Sequence, residues 1–298
     1  MPTAHASALA AVLAAVEQGL DPEARRARDP VAFPHRYADA RDRELVGLFA
    51  ALLAYGRVDL IARALTDATA RMGPHPAAAA AADDRAAAAG RFDGFVYRFT
   101  RGPDLARLWV GIGEVQRSGR TLEDVFLAAD RPDPPGGSPD LRPALAGLRR
   151  TLLAPTMDEP EPPRRAFEHF FPDPDRGSAT KRLWLYLRWM VRGPDAIDLG
   201  LWRRVSPARL TMPVDTHIHR LGRYLGLTTR PSADFRTAQD ITAALRALEP
   251  ADPLRWDFAL THLGIAGACA RRRVPEICAG CALAPACRLD ARGAVGPG

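Results

Sequence analysis

The sequence predicts an all-α protein, and three observations carry that reading. Apolar residues recur at helical spacing through most of the chain, and no run of alternating apolar and polar residues marks a strand. Proline- and glycine-rich stretches fall between the periodic segments.

Taken in order, the start, "MPTAHASALAAVLAAVEQGL", reads as an amphipathic helix. It has no lysine or arginine before its Ala-rich stretch and contains Glu17, so a signal peptide is not expected. Residues 42–73 carry helical apolar spacing with a break or bend near Tyr55-Gly56. "PDLARLWVGIGEVQRSG" and "TLEDVFLAA" predict two shorter helices, the second with Thr121 as N-cap. "ADRPDPPGGSPDLRP" and "APTMDEPEPPRR" are loops, with a helix over "ALAGLRRTLL" between them. "RAFEHFF" is a short helix and "PDPDRG" a turn; Ser178 to Arg192 is then a strongly apolar helix capped by Ser178. Helices follow over "THIHRLGRYLGL", "DFRTAQDITAALRAL" and part of "DPLRWDFALTHLGIAGACA", and "ARGAVGPG" is a flexible tail.

Hydrophobic residues make up 47% and charged residues 26% of the 298, an ordinary soluble globular composition. No apolar run is long enough to span a membrane, and a cytoplasmic chain is expected. The net charge of +6 favours a polyanionic partner, nucleic acid first. GC-rich coding is the competing cause, since Ala, Arg, Gly and Pro abound and Asn is absent.

Cys269, Cys278, Cys281 and Cys287 follow the spacing C-x8-C-x2-C-x5-C. Four thiolates on so short a loop can enclose a zinc ion or an iron–sulfur cluster, and the spacing fits both. Two disulfides suit an intracellular chain less well.

Lys181 is the only lysine among forty-one cationic residues; the rest are arginine. The expectation places it near the third position of a buried helix. Helix polarity and burial there both disfavour the ammonium form. A neutral amine is a nucleophile, whereas guanidinium stays protonated. Asp215 follows Pro213-Val214 and precedes an apolar helical face of Ile218, Leu221 and Leu225. It reads as an N-cap or as a carboxylate aimed into a cleft. His217 and His219 lie two apart and cannot share a helix face, which excludes an i, i+4 metal pair.

"PVDTHIHRLGRYLGL", the four-cysteine tail and the "GSATK" turn together resemble the helix-hairpin-helix DNA glycosylase superfamily, the endonuclease III-like proteins. The resemblance covers roughly residues 28–288, and "AYGRVDLI" matches the superfamily's first substrate-side helix. It implies two helical subdomains with the active-site cleft between them: residues 42–192, a helical barrel ending in the hairpin, and residues 1–41 with 193–268. An iron–sulfur loop at 269–288 and a tail at 289–298 complete the expected organisation.

The resemblance also implies a function: a DNA glycosylase with AP lyase activity acting on duplex DNA with a damaged base, as a monomer near the nucleoid. Lys181 would be the Schiff-base nucleophile and Asp215 its electrostatic and proton-transfer partner. Gly177, Ser178 and Ala179, with Arg271, Arg272 and Arg273, would hold DNA phosphates. Tyr55, Arg57, Trp184 and Trp189 would lie near the base pocket. Cys269, Cys278, Cys281 and Cys287 would hold a [4Fe-4S] cluster, with zinc as the alternative.

Two differences from the superfamily pattern stand out. Ala179 replaces the hairpin's second glycine, and the spacing from Lys181 to Asp215 is longer than in endonuclease III. That longer spacing is similar to archaeal 8-oxoguanine glycosylases and points to an oxidised purine. Two other functions compete: a non-catalytic DNA-structure binder on the same scaffold, and a zinc-stabilised helical interaction module.

Overall fold

The computed structural model describes residues 3–133, 137–156, 164–265 and 269–296. Helix accounts for 59% of the chain and strand for 3%, so the fold class is all-α. The helices are α1 (Thr3–Gln18), α2 (Pro22–Arg26), α3 (Ala40–Leu53), α4 (Val58–Met72), α5 (Pro76–Ala82) and α6 (Arg85–Arg91). After strands β1 (Val96–Tyr97) and β2 (Thr100–Arg101) come α7 (Gly102–Arg117), α8 (Leu122–Leu127), α9 (Arg142–Leu153) and α10 (Arg164–Phe170). The series closes with α11 (Lys181–Val191), α12 (Thr216–Tyr224), α13 (Phe235–Arg246), α14 (Asp257–Ile265) and α15 (Pro275–Cys278). No described helix is long and apolar enough to cross a membrane.

The expected break between α3 and α4 occurs at Gly56, whose φ is +99°. Helices α5 and α6 come from Ala-rich segments whose uniform apolarity gives no periodic face to read. The antiparallel pair β1–β2 has two residues per strand, too few for alternation to register. The expected helix from Ser178 begins at Lys181 instead, because Ser178 pairs in an antiparallel bridge with Asp234. Thus Lys181 is the first helical residue, and Ser178 is not its cap. The tail is held as well: Leu289 bridges Val295, and Asp290 N donates to Ala294 O at 2.9 Å. Parts of both proline-rich loops, at 134–136 and 157–163, lie outside the described residues.

The chain divides into two compact units, residues 1–25 with 177–184 and 206–298, and residues 26–176 with 185–205. The core of the second unit is aromatic. Phe92 lies 6.2 Å from Phe49 and 5.5 Å from Trp109, the latter edge to face. Close backbone approach to α7 depends on glycine: a Cβ at Gly111 would sit 1.8 Å from Leu152 O.

Glu44, 4% exposed on α3, organises this unit. Its carboxylate accepts from Leu122 N (3.0 Å) and Glu123 N (3.1 Å) at the start of α8, and from Trp202 Nε1 (2.6 Å). Trp202 in turn packs on Phe126 and Tyr186. Burial pushes the Glu44 carboxyl up to about 7; the three N–H donors oppose it, and the charge of Glu123 adds to it.

A carboxyl raised on folding contributes stability that is complete below about pH 4.5 and lost as the pH rises through about 7. Glu44→Gln places an amide donor against backbone N–H groups and should cost about 1–3 kcal/mol. The melting temperature of the native protein should also fall relative to that of the variant between about pH 5 and pH 8. Thermal melts of both proteins across that range check both outcomes.

Candidate active site

Asp215 is fixed before its side chain does anything. Val214 and Ile218 on either side are buried, and Met212 N donates to Thr242 Oγ1 at 2.9 Å. At φ −112° Asp215 caps α12, and its Oδ1 accepts from His217 N and Ile218 N, both at 2.9 Å. Lys181 stands at the start of α11, ahead of Leu183 and Trp184, which are 1% and 0% exposed. Its Nζ donates to Asp215 Oδ2 at 2.9 Å. The cap reading and the cleft-facing reading of Asp215 therefore hold together, one oxygen for each.

The Lys181 side chain is 30% exposed and Asp215 20%, so the pair is shielded without being dry. Burial alone would raise the Asp215 carboxyl. The Lys181 charge, the Ile218 N–H and the Lys181 hydrogen bond, with His217 adding, outweigh it and hold the group below the usual carboxylate range. The sequence reading set Lys181 at the edge of a desolvated pocket; the structure sets a carboxylate opposite its amine. His217 Nδ1 meets Gly264 O at 2.8 Å and His219 Nε2 meets Arg230 O at 3.0 Å, so both histidines serve packing through carbonyls.

The turn before Lys181 is built from unusual backbone. Gly177 has φ +73°, and its carbonyl accepts from Phe235 N at 3.4 Å. Ser178 bridges Asp234, Ala179 is buried, and Thr180 has φ +37°. A β-branched residue there costs about 1–3 kcal/mol. Asp234 is held well below the usual carboxylate range, chiefly by its hydrogen bond from Arg230.

The remaining expected residues fall in three places. Trp184 and Trp189 are 0% and 1% exposed, and Trp184 stacks on Phe235 at 5.9 Å, so both rings are core residues with no open face for a base. Tyr55 meets the β1–β2 hairpin instead, and Arg57 is exposed and pairs with Asp59 at 3.0 Å. Tyr55 Oη donates to Tyr97 O (3.0 Å) and contacts Thr100 Oγ1 (2.8 Å), and Tyr97 Oη donates back to Tyr55 O. A Cβ at Gly56 would lie a tight 3.1 Å from Tyr97 Oη, and the φ of +99° itself favours glycine.

The hairpin tip carries Arg98, at φ +52°, and Phe99, which is 56% exposed. The Arg98 guanidinium lies 5.8 Å from the Phe99 ring centre and 6.0 Å from that of Tyr55, and His169 meets both rings edge-on. Three of the five exposed large hydrophobic side chains among the described residues, Val58, Val96 and Phe99, lie on these two segments. Sequence reasoning missed Arg98 and Phe99. The signal was "FVYRFTR", a short alternation of aromatic and basic residues.

No two of the four cysteines form a disulfide, and all four line one cavity of about 200 Å³ with Tyr224 and Leu283. Arg271 N points to Cys269 Sγ and Val274 N to Cys278 Sγ, each at 3.4 Å. Burial pushes the Cys287 thiol up; Leu289 N–H opposes this, and Cys269 and Cys281 add to it. Arg271, Arg272 and Arg273 are exposed along the same loop. Among the described residues no three His, Cys, Asp or Glu side chains converge tightly enough to hold one metal ion.

The family model described as "Protein of unknown function (DUF2400)" matches residues 29–266. The chain belongs to that family. The DUF2400 span includes Glu44, the hairpin, Lys181 and Asp215, and stops before Cys269. Comparison with the curated proteins and with the solved structures returns no match.

Asp215→Asn keeps a capping oxygen and removes the ion pair, whereas Asp215→Ala loses both and should cost about 1 kcal/mol more. A carboxyl lowered on folding contributes stability that is present above its unfolded value, about 3.9, and lost as the pH falls through the folded one. The stability advantage of the native protein over Asp215→Asn should therefore hold at neutral pH and vanish in acid. Urea melts at about pH 7 and pH 3 measure it.

Proposed function

We propose that this chain is a DNA glycosylase with AP lyase activity, acting on duplex DNA that carries a damaged base, with an oxidised purine as substrate. The observation that carries the reading is the 2.9 Å pairing of the sole lysine with a helix-capping aspartate thirty-four residues away in sequence. Substrate binding brings a flipped nucleotide to the pair. As the glycosidic bond breaks, positive charge develops on the sugar, and Asp215 exchanges the ammonium for that charge. The freed amine gives its proton to the departing base, which leaves with the bonding electron pair, and the nitrogen lone pair bonds to the anomeric carbon. Ring opening gives an imine between Lys181 and that carbon; loss of a proton from the adjacent carbon and departure of the 3′ phosphate then cut the strand.

Binding to the duplex is supported by the net charge of +6, by Arg271, Arg272 and Arg273, and by the Arg98–Phe99 tip, where a base can stack on Phe99 beside a cation. The backbone around Gly177, Ser178 and Ala179 keeps its assigned part in phosphate contact under this reading. The four thiols line one cavity, which supports a shared inorganic centre, a [4Fe-4S] cluster under this reading with zinc as the alternative. Cys269, Cys278, Cys281 and Cys287 would hold it, and when bound it would tie the loop together as a structural element.

Borohydride trapping on duplexes bearing 8-oxoguanine, oxidised pyrimidines, uracil or an abasic site tests the reaction. A covalent protein–DNA adduct is expected with the native chain and none with Lys181→Gln. Absence of an adduct on every lesion would remove the lyase step. Purified protein should be brown with about four irons per chain; stoichiometric zinc in a colourless protein would replace the cluster assignment. Phe99→Ala should weaken duplex binding about fivefold or more while leaving the melting temperature unchanged, read by fluorescence anisotropy and thermal melts.

A further inference from the structure

Thr180 precedes the first residue of α11, where a threonine ordinarily caps the helix. Thr121 shows the ordinary case: φ is −97° and its Oγ1 accepts from Asp124 N at 3.1 Å. Thr180 does the opposite. Its φ is +37°, and its buried Oγ1 has no hydrogen-bond partner among the described residues. Nine positive-φ positions among the described residues are glycine, and of the three that are not, only Thr180 is β-branched. Capping therefore does not account for the residue, and its backbone alone would be better served by glycine.

The residue is 7% exposed, and its carbonyl accepts the first bonds of α11, from Leu183 N at 2.9 Å and Trp184 N at 3.5 Å. Two residues earlier the chain is pinned to Asp234 through Ser178. We infer that Thr180 is a positioning residue: its buried side chain holds the left-handed turn that aims Lys181 at Asp215. Glycine would permit that turn without holding it, because it populates many other conformations. The strain is retained where the surrounding packing fixes the conformation and the adjacent group must be aimed.

Two variants separate the anchor from the hydroxyl. Thr180→Gly removes the anchor and the strain, while Thr180→Val keeps the anchor and deletes the unpartnered hydroxyl. Because Lys181 is the only lysine, protein labelled with 13C-lysine gives one Cε cross-peak, which reports the Lys181 environment without any assay of activity. In Thr180→Gly that peak should move toward its position in Asp215→Asn. In Thr180→Val it should stay at the native position, with a higher melting temperature from loss of the buried hydroxyl.

Under the glycosylase reading, on which only this arm rests, the trapping rate should fall about tenfold in Thr180→Gly and stay within about twofold in Thr180→Val. A native-position peak in Thr180→Gly, or an equal displacement in Thr180→Val, overturns the inference; the latter would assign the role to the hydroxyl. A displaced peak in Thr180→Gly, with no trapping by the native chain on any lesion, would uphold the positioning role and remove the Schiff-base step. Should Thr180→Gly melt without cooperativity, Thr180→Asn, which tolerates left-handed backbone, is read against the same peak positions.

Discussion

The two oxygens of Asp215 set the terms for the unit that contains them. One oxygen closes the start of α12 by taking two backbone N–H groups, and the other takes the ammonium of Lys181. A carboxylate that serves as helix cap and counter-ion at once cannot swing away without uncovering both partners. Its position is thus fixed by backbone hydrogen bonds, which side-chain motion elsewhere does not disturb. Burial opposes the charge and the partners outweigh it, so the group stays ionised because of its geometry. Every chemical statement about the site descends from that arrangement.

Local signals in the sequence were read correctly where the physics is local. Thr121 caps α8 with a side chain three residues from its donor, and the break at Gly56 needs only a residue that accepts φ +99°. Asp215 declares itself by the same kind of short-range bond. Ser178 misled because its partner, Asp234, lies far along the chain; a serine before an apolar run looks like a cap until the bridge is known. The same long-range pairing moved the helix start to Lys181.

Other features were illegible for different reasons. Runs of alanine encode helix by propensity but show no face, so α5 and α6 left no periodic mark. Two-residue strands cannot display a period of two. Trp184 and Trp189 carry polar nitrogens that suggest a pocket, yet an apolar helix with buried residues on nearly every side leaves them in the core. The cysteine spacing puts the four thiols on one loop, and the cavity they line could come only from coordinates. The buried Glu44, with a carboxyl pushed to about 7, gave no sequence signal at all, since a glutamate beside an arginine near a helix start is common on exposed helices.

A chain with one lysine offers amine chemistry a single side chain, and here that side chain is partly exposed beside Asp215. Amine-coupled sensor surfaces, succinimidyl dyes and aldehyde fixatives, which scatter over most proteins, would concentrate on Lys181 and the N-terminus. Thiol reagents would in the same way collect on the four cysteines of one loop. The common ways of anchoring or staining a protein would therefore modify this one at Lys181 and at the cysteine loop.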